Sequence, residues 1–111
     1  MTKLYGFGNA LIDIEISIKE EDLKSIDIPK GSMKDISHEE MTNLLSDFSS
    51  SINSRLPGGS IANALYAANQ FGAIIHFSCS IGNDDYGKYF INSFMDNENL
   101  ITYEVSDKPT G

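Results

Sequence analysis

Residues 10 to 19 alternate without a break, with Ala10, Ile12, Ile14, Ile16 and Ile18 on one side and Leu11, Asp13, Glu15, Ser17 and Lys19 on the other. A repeat of two over that length predicts a strand with one apolar and one wet face, which points Asp13 into solvent or a cleft. Residues 3 to 8 read as a short strand before it, ending at Gly6 and Gly8. Residues 20 to 26 suit a short helix, and Pro29-Lys30-Gly31 marks a turn. Ser37-His38-Glu39-Glu40 has the spacing of a capping box and opens a helix expected to run to about Phe48. Ile52 to Leu56 reads as another strand before Pro57-Gly58-Gly59.

From Ser60 the small residues Ala62, Ala64, Ala67 and Ala68 give a helix that packs closely, stopped by Gly72. Residues 73 to 81 are almost continuously apolar and predict a parallel strand covered on both faces. Asp84 is placed to cap a helix carrying Tyr86, Tyr89, Phe90 and Phe94, and Ile101 to Val105 is extended again. The order is that of an α/β fold, with one wet-faced strand implying a small second sheet beside the main layered one.

Composition removes several classes of function. With 111 residues and 41 % hydrophobic content the chain suits one small globular domain. A net charge of -8, with eight scattered basic residues, does not suit a nucleic-acid partner. No apolar run reaches the roughly 18 residues of a membrane span, and the first residues lack a signal-peptide layout, so no membrane partner and a cytoplasmic location are expected. Cys79 is the single cysteine and reads as a small buried hydrophobe, while His38 and His76 lack metal-ligand spacing, so no metal site is expected.

The strongest local chemistry is Pro57-Gly58-Gly59-Ser60-Ile61-Ala62-Asn63, a glycine pair opening a helix. Such a turn lets a ligand approach backbone amides at the positive end of the helix, which favours an electron-rich or polyhydroxylated group. A plain tight turn is the structural alternative. No Gly-Lys-Ser/Thr follows, so it is not a nucleotide-binding Walker loop. Gly6-Phe7-Gly8-Asn9-Ala10-Leu11 begins like a dinucleotide fingerprint, but Leu11 stands at the third glycine and a strand pattern follows. Gly82-Asn83-Asp84-Asp85-Tyr86-Gly87 lacks the ligand spacing of a calcium loop, and helix capping by Asp84 accounts for it better.

In this order, Gly8-Asn9-Ala10-Leu11-Ile12-Asp13, Gly58-Gly59-Ser60 through Asn63, Gly72, and Gly82 with Asp84 and Gly87 resemble the PfkB family of carbohydrate kinases. The resemblance covers essentially the whole chain and is nearest to bacterial adenosine-kinase and sugar-kinase members. Ile61 and Leu65 stand where smaller residues are usual in the family. The resemblance implies a ribokinase-like layered sheet with helices and a small β lid. Residues 1-111 would be the N-terminal part of the kinase domain, with lid strands at about 10-19, 52-56 and 101-106.

It also implies a site. Asp13 would accept hydrogen bonds from two sugar hydroxyls, a task suited to a group with two acceptor oxygens. Gly58, Gly59, Ser60 and Asn63 would close around the same sugar, and Asn9 and Leu11 would line the pocket. The substrate would be a sugar or nucleoside, and the complete enzyme would use ATP and Mg2+, neither held by this chain alone. The family's catalytic base belongs to a Gly-Ala-Gly-Asp motif that this sequence does not contain, so it is expected downstream of Gly111. The chain is thus expected to be a fragment, inactive as a kinase and prone to associate through unpaired strand edges, with the lid able to form a homodimer surface. The alternative is a non-catalytic sugar-binding or interaction module that uses the lid surface.

Overall fold

A computed structural model describes residues 1–94 and 98–111. It contains five strands, β1 (Lys3–Phe7), β2 (Leu11–Ile16), β3 (Ile52–Gly58), β4 (Ile74–Gly82) and β5 (Leu100–Ser106). The helices are α1 (Glu20–Ser25), α2 (His38–Asp47), α3 (Ser60–Gln70) and α4 (Asp85–Phe94), with a single 3-10 turn at Ser49–Ser51. Two compact units are present, one of Met1–Asp13 with Leu56–Gly111 and one of Ile14–Arg55. The chain leaves the first unit partway along β2 and returns to it partway along β3.

The first unit is built on a parallel sheet of order β1-β4-β5. The register places Tyr5 beside His76 and Gly6 beside Phe77, and on the other edge His76 beside Leu100 and Phe77 beside Ile101. Side chains alternate across a sheet, so Ile75, Phe77, Cys79 and Ile81 share one face. That face carries the core, where the ring of Phe77 lies 5.7 Å from Phe90 and 5.4 Å from Phe94, and Leu65 of α3 and Ile91 of α4 join the same cluster. α3 fits closely because Gly6 has no side chain: a Cβ there would lie 2.8 Å from Ile61 Cγ2. Cys79 packs on this core, and burial pushes its thiol above the ordinary range, which suits a packing residue rather than a nucleophile.

The alternate face differs from expectation. Tyr5, His76 and Ser78 project from it, held by Tyr5 Oη to Ser78 Oγ at 2.7 Å and His76 Nε2 to Thr102 Oγ1 at 2.8 Å. Tyr5 is 63 % exposed and Phe7 76 % exposed. Within this unit β4 is therefore covered by helices on one face, not on both. The expected unpaired edges of 73 to 81 are also corrected, because β1 and β5 occupy both sides of β4.

β5 brings a third correction. Residues 101-106 do not form a lid strand; they lie parallel to β4 in the main sheet, from His76↔Leu100 to Gly82↔Ser106. The alternation in Leu100–Ser106 comes from its place as the edge strand of that sheet. The separate sheet is antiparallel and, among the described residues, contains β2 and β3 alone.

In the second unit the polar face of the β2 end is bonded across the strands. Asn53 Nδ2 donates to Ser17 Oγ at 2.6 Å and to Glu15 Oε1 at 3.2 Å, and Ser17 N donates to Ser51 O at 2.9 Å. α2 starts as its sequence predicts: Glu40 N donates to Ser37 Oγ at 3.1 Å and Ser37 N donates to Glu40 Oε2 at 2.8 Å. The latter bond, followed by a hydrogen bond of the Ser37 hydroxyl to the carboxylate itself, holds the Glu40 carboxyl below the ordinary carboxylate range.

Candidate functional site

β2 ends its stay in the first unit at Asp13, and β3 closes that unit's part of the small sheet at Gly58. Asp13 is on the wet face and exposed, and no described residue donates a hydrogen bond to its carboxylate. The carboxylate fits directly over the backbone of Gly58. A Cβ on Gly58 would lie 2.5 Å from Asp13 Cγ and 2.7 Å from Oδ1, inside any tolerable contact. Gly58 itself is buried. Only glycine at this position leaves the acid where it stands.

Gly59 follows with φ 96 and ψ 145, a conformation that side-chain-bearing residues avoid, and it is the N-cap of α3 with no side chain bonding back to the helix. A Cβ there would meet Asn9 O at 3.2 Å and Leu11 Cδ1 at 3.5 Å. Asn9, Leu11, Asp13, Gly58 and Gly59 are therefore brought together by two short segments, residues 9–13 at the start of β2 and Gly58-Gly59 at the end of β3. The arrangement offers an exposed double acceptor, the positive end of a helix and one apolar wall, Leu11.

Ser60 and Asn63 stand differently. Ser60 is the first residue of α3 and exposed, and the cap position belongs to Gly59, so its hydroxyl does not cap the helix. Asn63 N donates to Gly59 O at 2.9 Å as the first regular bond of α3, while Asn63 lines a cavity of about 440 Å³ with Leu56, Pro57, Tyr66, Tyr89 and Phe94. No hydrogen bond ties its side chain to Asp13. Asp84 caps α4 as expected, accepting from Gly87 N at 2.8 Å. It also bonds to Thr110, a partner that no local pattern announces. Among the described residues no group of three or more His, Cys, Asp or Glu could hold a metal ion, and no helix is long and apolar enough to cross a membrane.

The backbone arrangement recurs in solved kinases. Adenosine kinase from Schistosoma mansoni in complex with adenosine superposes with a TM-score of 0.71 at 19 % identity, over 95 % of this chain and 32 % of that one. Anopheles gambiae adenosine kinase in complex with P1,P4-di(adenosine-5) tetraphosphate gives 0.73 at 23 % identity, over 96 % and 34 %. The fold is that of the N-terminal part of the ribokinase-like kinases. A probable sugar kinase protein from Rhizobium etli shares it at 0.64 and 22 % identity, over 99 % of this chain and 31 % of that one. The chain thus spans about a third of the length of these ribokinase-like structures. No protein-family model matches the sequence, and no curated protein matches it.

Proposed function

We propose that this chain forms the sugar-gripping side of an ATP-dependent nucleoside or sugar kinase that transfers the γ-phosphoryl group to a substrate hydroxymethyl. The observation that carries the reading is the Asp13 carboxylate, exposed, unbonded and seated on Gly58 at a distance that no other residue would permit. A carboxylate held this way accepts from two neighbouring hydroxyls at once, as a ribose diol presents them. Gly59 opens the helix end beside it, and Asn9 lies against that turn. Leu11 adds an apolar wall adjoining the sugar position, which suits a nucleoside base better than a further hydroxyl. The adenosine kinases that share the fold make adenosine the first ligand to try.

The glycine pair carries an acid on one side that would repel phosphate, so in this reading the turn takes the sugar rather than the phosphates of ATP. The part played here is positioning, which contributes much of the rate of phosphoryl transfer.

The test is an amide-shift titration of the 111-residue chain with adenosine, D-ribose, adenine and 2′,3′-dideoxyadenosine. Adenosine and ribose are expected to move the amides of Asn9 and Gly58 to Ala62, and dideoxyadenosine, lacking the diol, to leave them in place. Equal shifts with dideoxyadenosine or adenine would contradict the reading.

A further inference from the structure

Thr110 is the one polar residue that is buried among those described, at 9 % exposure, and both its amide and its hydroxyl are hydrogen-bonded. Its amide donates to Asp84 Oδ2 at 2.9 Å and its hydroxyl to Asp84 Oδ1 at 2.6 Å, while the same hydroxyl oxygen accepts from Gly82 N at 2.9 Å. Asp84 Oδ1 also accepts from Gly87 N at 2.8 Å, so one carboxylate joins the end of β4, the start of α4 and the segment after β5. The fit is close. A Cβ on Gly82 would lie 2.6 Å from Lys108 O, and one on Gly87 would lie 2.9 Å from Thr110 Oγ1.

The next residue reaches the candidate site. Gly111 O accepts from Ile12 N at 3.0 Å, and Gly111 lies so close to Ala10 and Leu11 that a Cβ would stand 3.2 Å from Ala10 O. Ile12 lies between Leu11 and Asp13, so the backbone that presents both residues to a ligand is held through a chain of bonds that starts at Asp84.

We infer that Asp84 is a positioning residue for sugar binding, acting through Thr110 and Gly111 on the Leu11–Asp13 segment. The inference rests on the proposed role of Asp13 as sugar acceptor. A helix cap alone needs one acceptor for Gly87 N. The second oxygen of Asp84 accepts from the amide of Thr110, and the next residue, Gly111, bonds to the strand that carries Asp13. Removing the link is expected to leave the core intact and to loosen that strand.

The decisive pair is Thr110→Val, which keeps the shape and removes the hydroxyl, and Thr110→Ser, which restores it. Asp84→Asn is measured beside them, with Asp13→Asn as the site control. Hydrogen exchange at the Ile12 amide is expected to quicken about tenfold in Thr110→Val and Asp84→Asn and to return in Thr110→Ser. Adenosine affinity is expected to fall about fivefold in the first two variants and recover in the third. Asp13→Asn should lose affinity with Ile12 exchange unchanged. If Asp84→Asn does not fold, the threonine pair decides alone. Unchanged Ile12 exchange in Thr110→Val overturns the link, whatever happens to binding. Faster exchange with unchanged affinity, while Asp13→Asn weakens binding, overturns the positioning role and leaves the sugar site standing. Full affinity in Asp13→Asn overturns the sugar site and the positioning role with it, and the exchange data then report the link as purely structural.

Discussion

Replacing Asp13 by Asn is expected to weaken adenosine binding by on the order of ten- to a hundredfold in Kd, the loss of a charge-assisted bond or two. The fold should not register the change. Asp13 is exposed and no described residue bonds to its carboxylate, so neither a cavity nor an orphaned partner is left behind. Exposed substitutions of this kind alter stability by no more than about 0.5 kcal/mol. A thermal melt beside a titration separates the two effects: an unchanged melting temperature with reduced affinity is the expected pair. If the melting temperature drops with the affinity, Asp13 is a structural residue and the account of the site is wrong.

The second large effect is expected from Gly58→Ala, a single methyl group. Its Cβ would be placed 2.5 Å from Asp13 Cγ, and the atoms it meets are the far end of a side chain. The carboxylate can rotate away at modest cost, about 0.5 to 1.5 kcal/mol for an unfavourable rotamer. Binding should nevertheless fall nearly as far as in Asp13→Asn, because the acceptor no longer stands over the turn. The double variant should then be little worse than either single one, since both remove the same interaction. Fully additive losses of affinity would show that Gly58 and Asp13 act separately. Gly59→Ala makes a useful contrast: φ 96 makes the backbone itself resist a side chain, so stability should suffer there before binding does.

Much of the fold is legible wherever the deciding physics is local. The reciprocal bonds of Ser37 and Glu40, the left-handed Gly72 after α3, and the glycine pair before Ser60 depend on residues a few positions apart, and the structure has them where the spacing predicts. Strand β5 was not legible as part of the main sheet because Leu100–Ser106 alternates much as β2 does. What assigns it is pairing with His76 to Gly82, more than twenty residues away. The single covered face of β4 was present in the sequence, since His76, Ser78 and Ser80 alternate with Ile75, Phe77, Cys79 and Ile81. Reading that stretch as a continuous apolar run hid the polar face.

The site divides the same way. Asp13 is legible as an exposed acid from the repeat of two, and Gly58 and Gly59 as an open turn from their lack of side chains. That the acid sits on Gly58, with Asn9 and Leu11 against Gly59, requires β2 and β3 to pair, which neither segment states by itself. Asn63 was grouped with them through the family motif, and it lines the cavity beside Tyr66 and Tyr89. The double use of Asp84 was invisible because its second partner, Thr110, lies 26 residues along the chain.

A structure of the chain with adenosine bound tests the central claim most directly. The account predicts both ribose hydroxyls within about 3 Å of the two Asp13 carboxylate oxygens, with the ribose over the Gly58-Gly59 turn and the base against Leu11. A ribose bound away from Asp13, for example in the cavity between Asn63, Tyr66 and Tyr89, would contradict it.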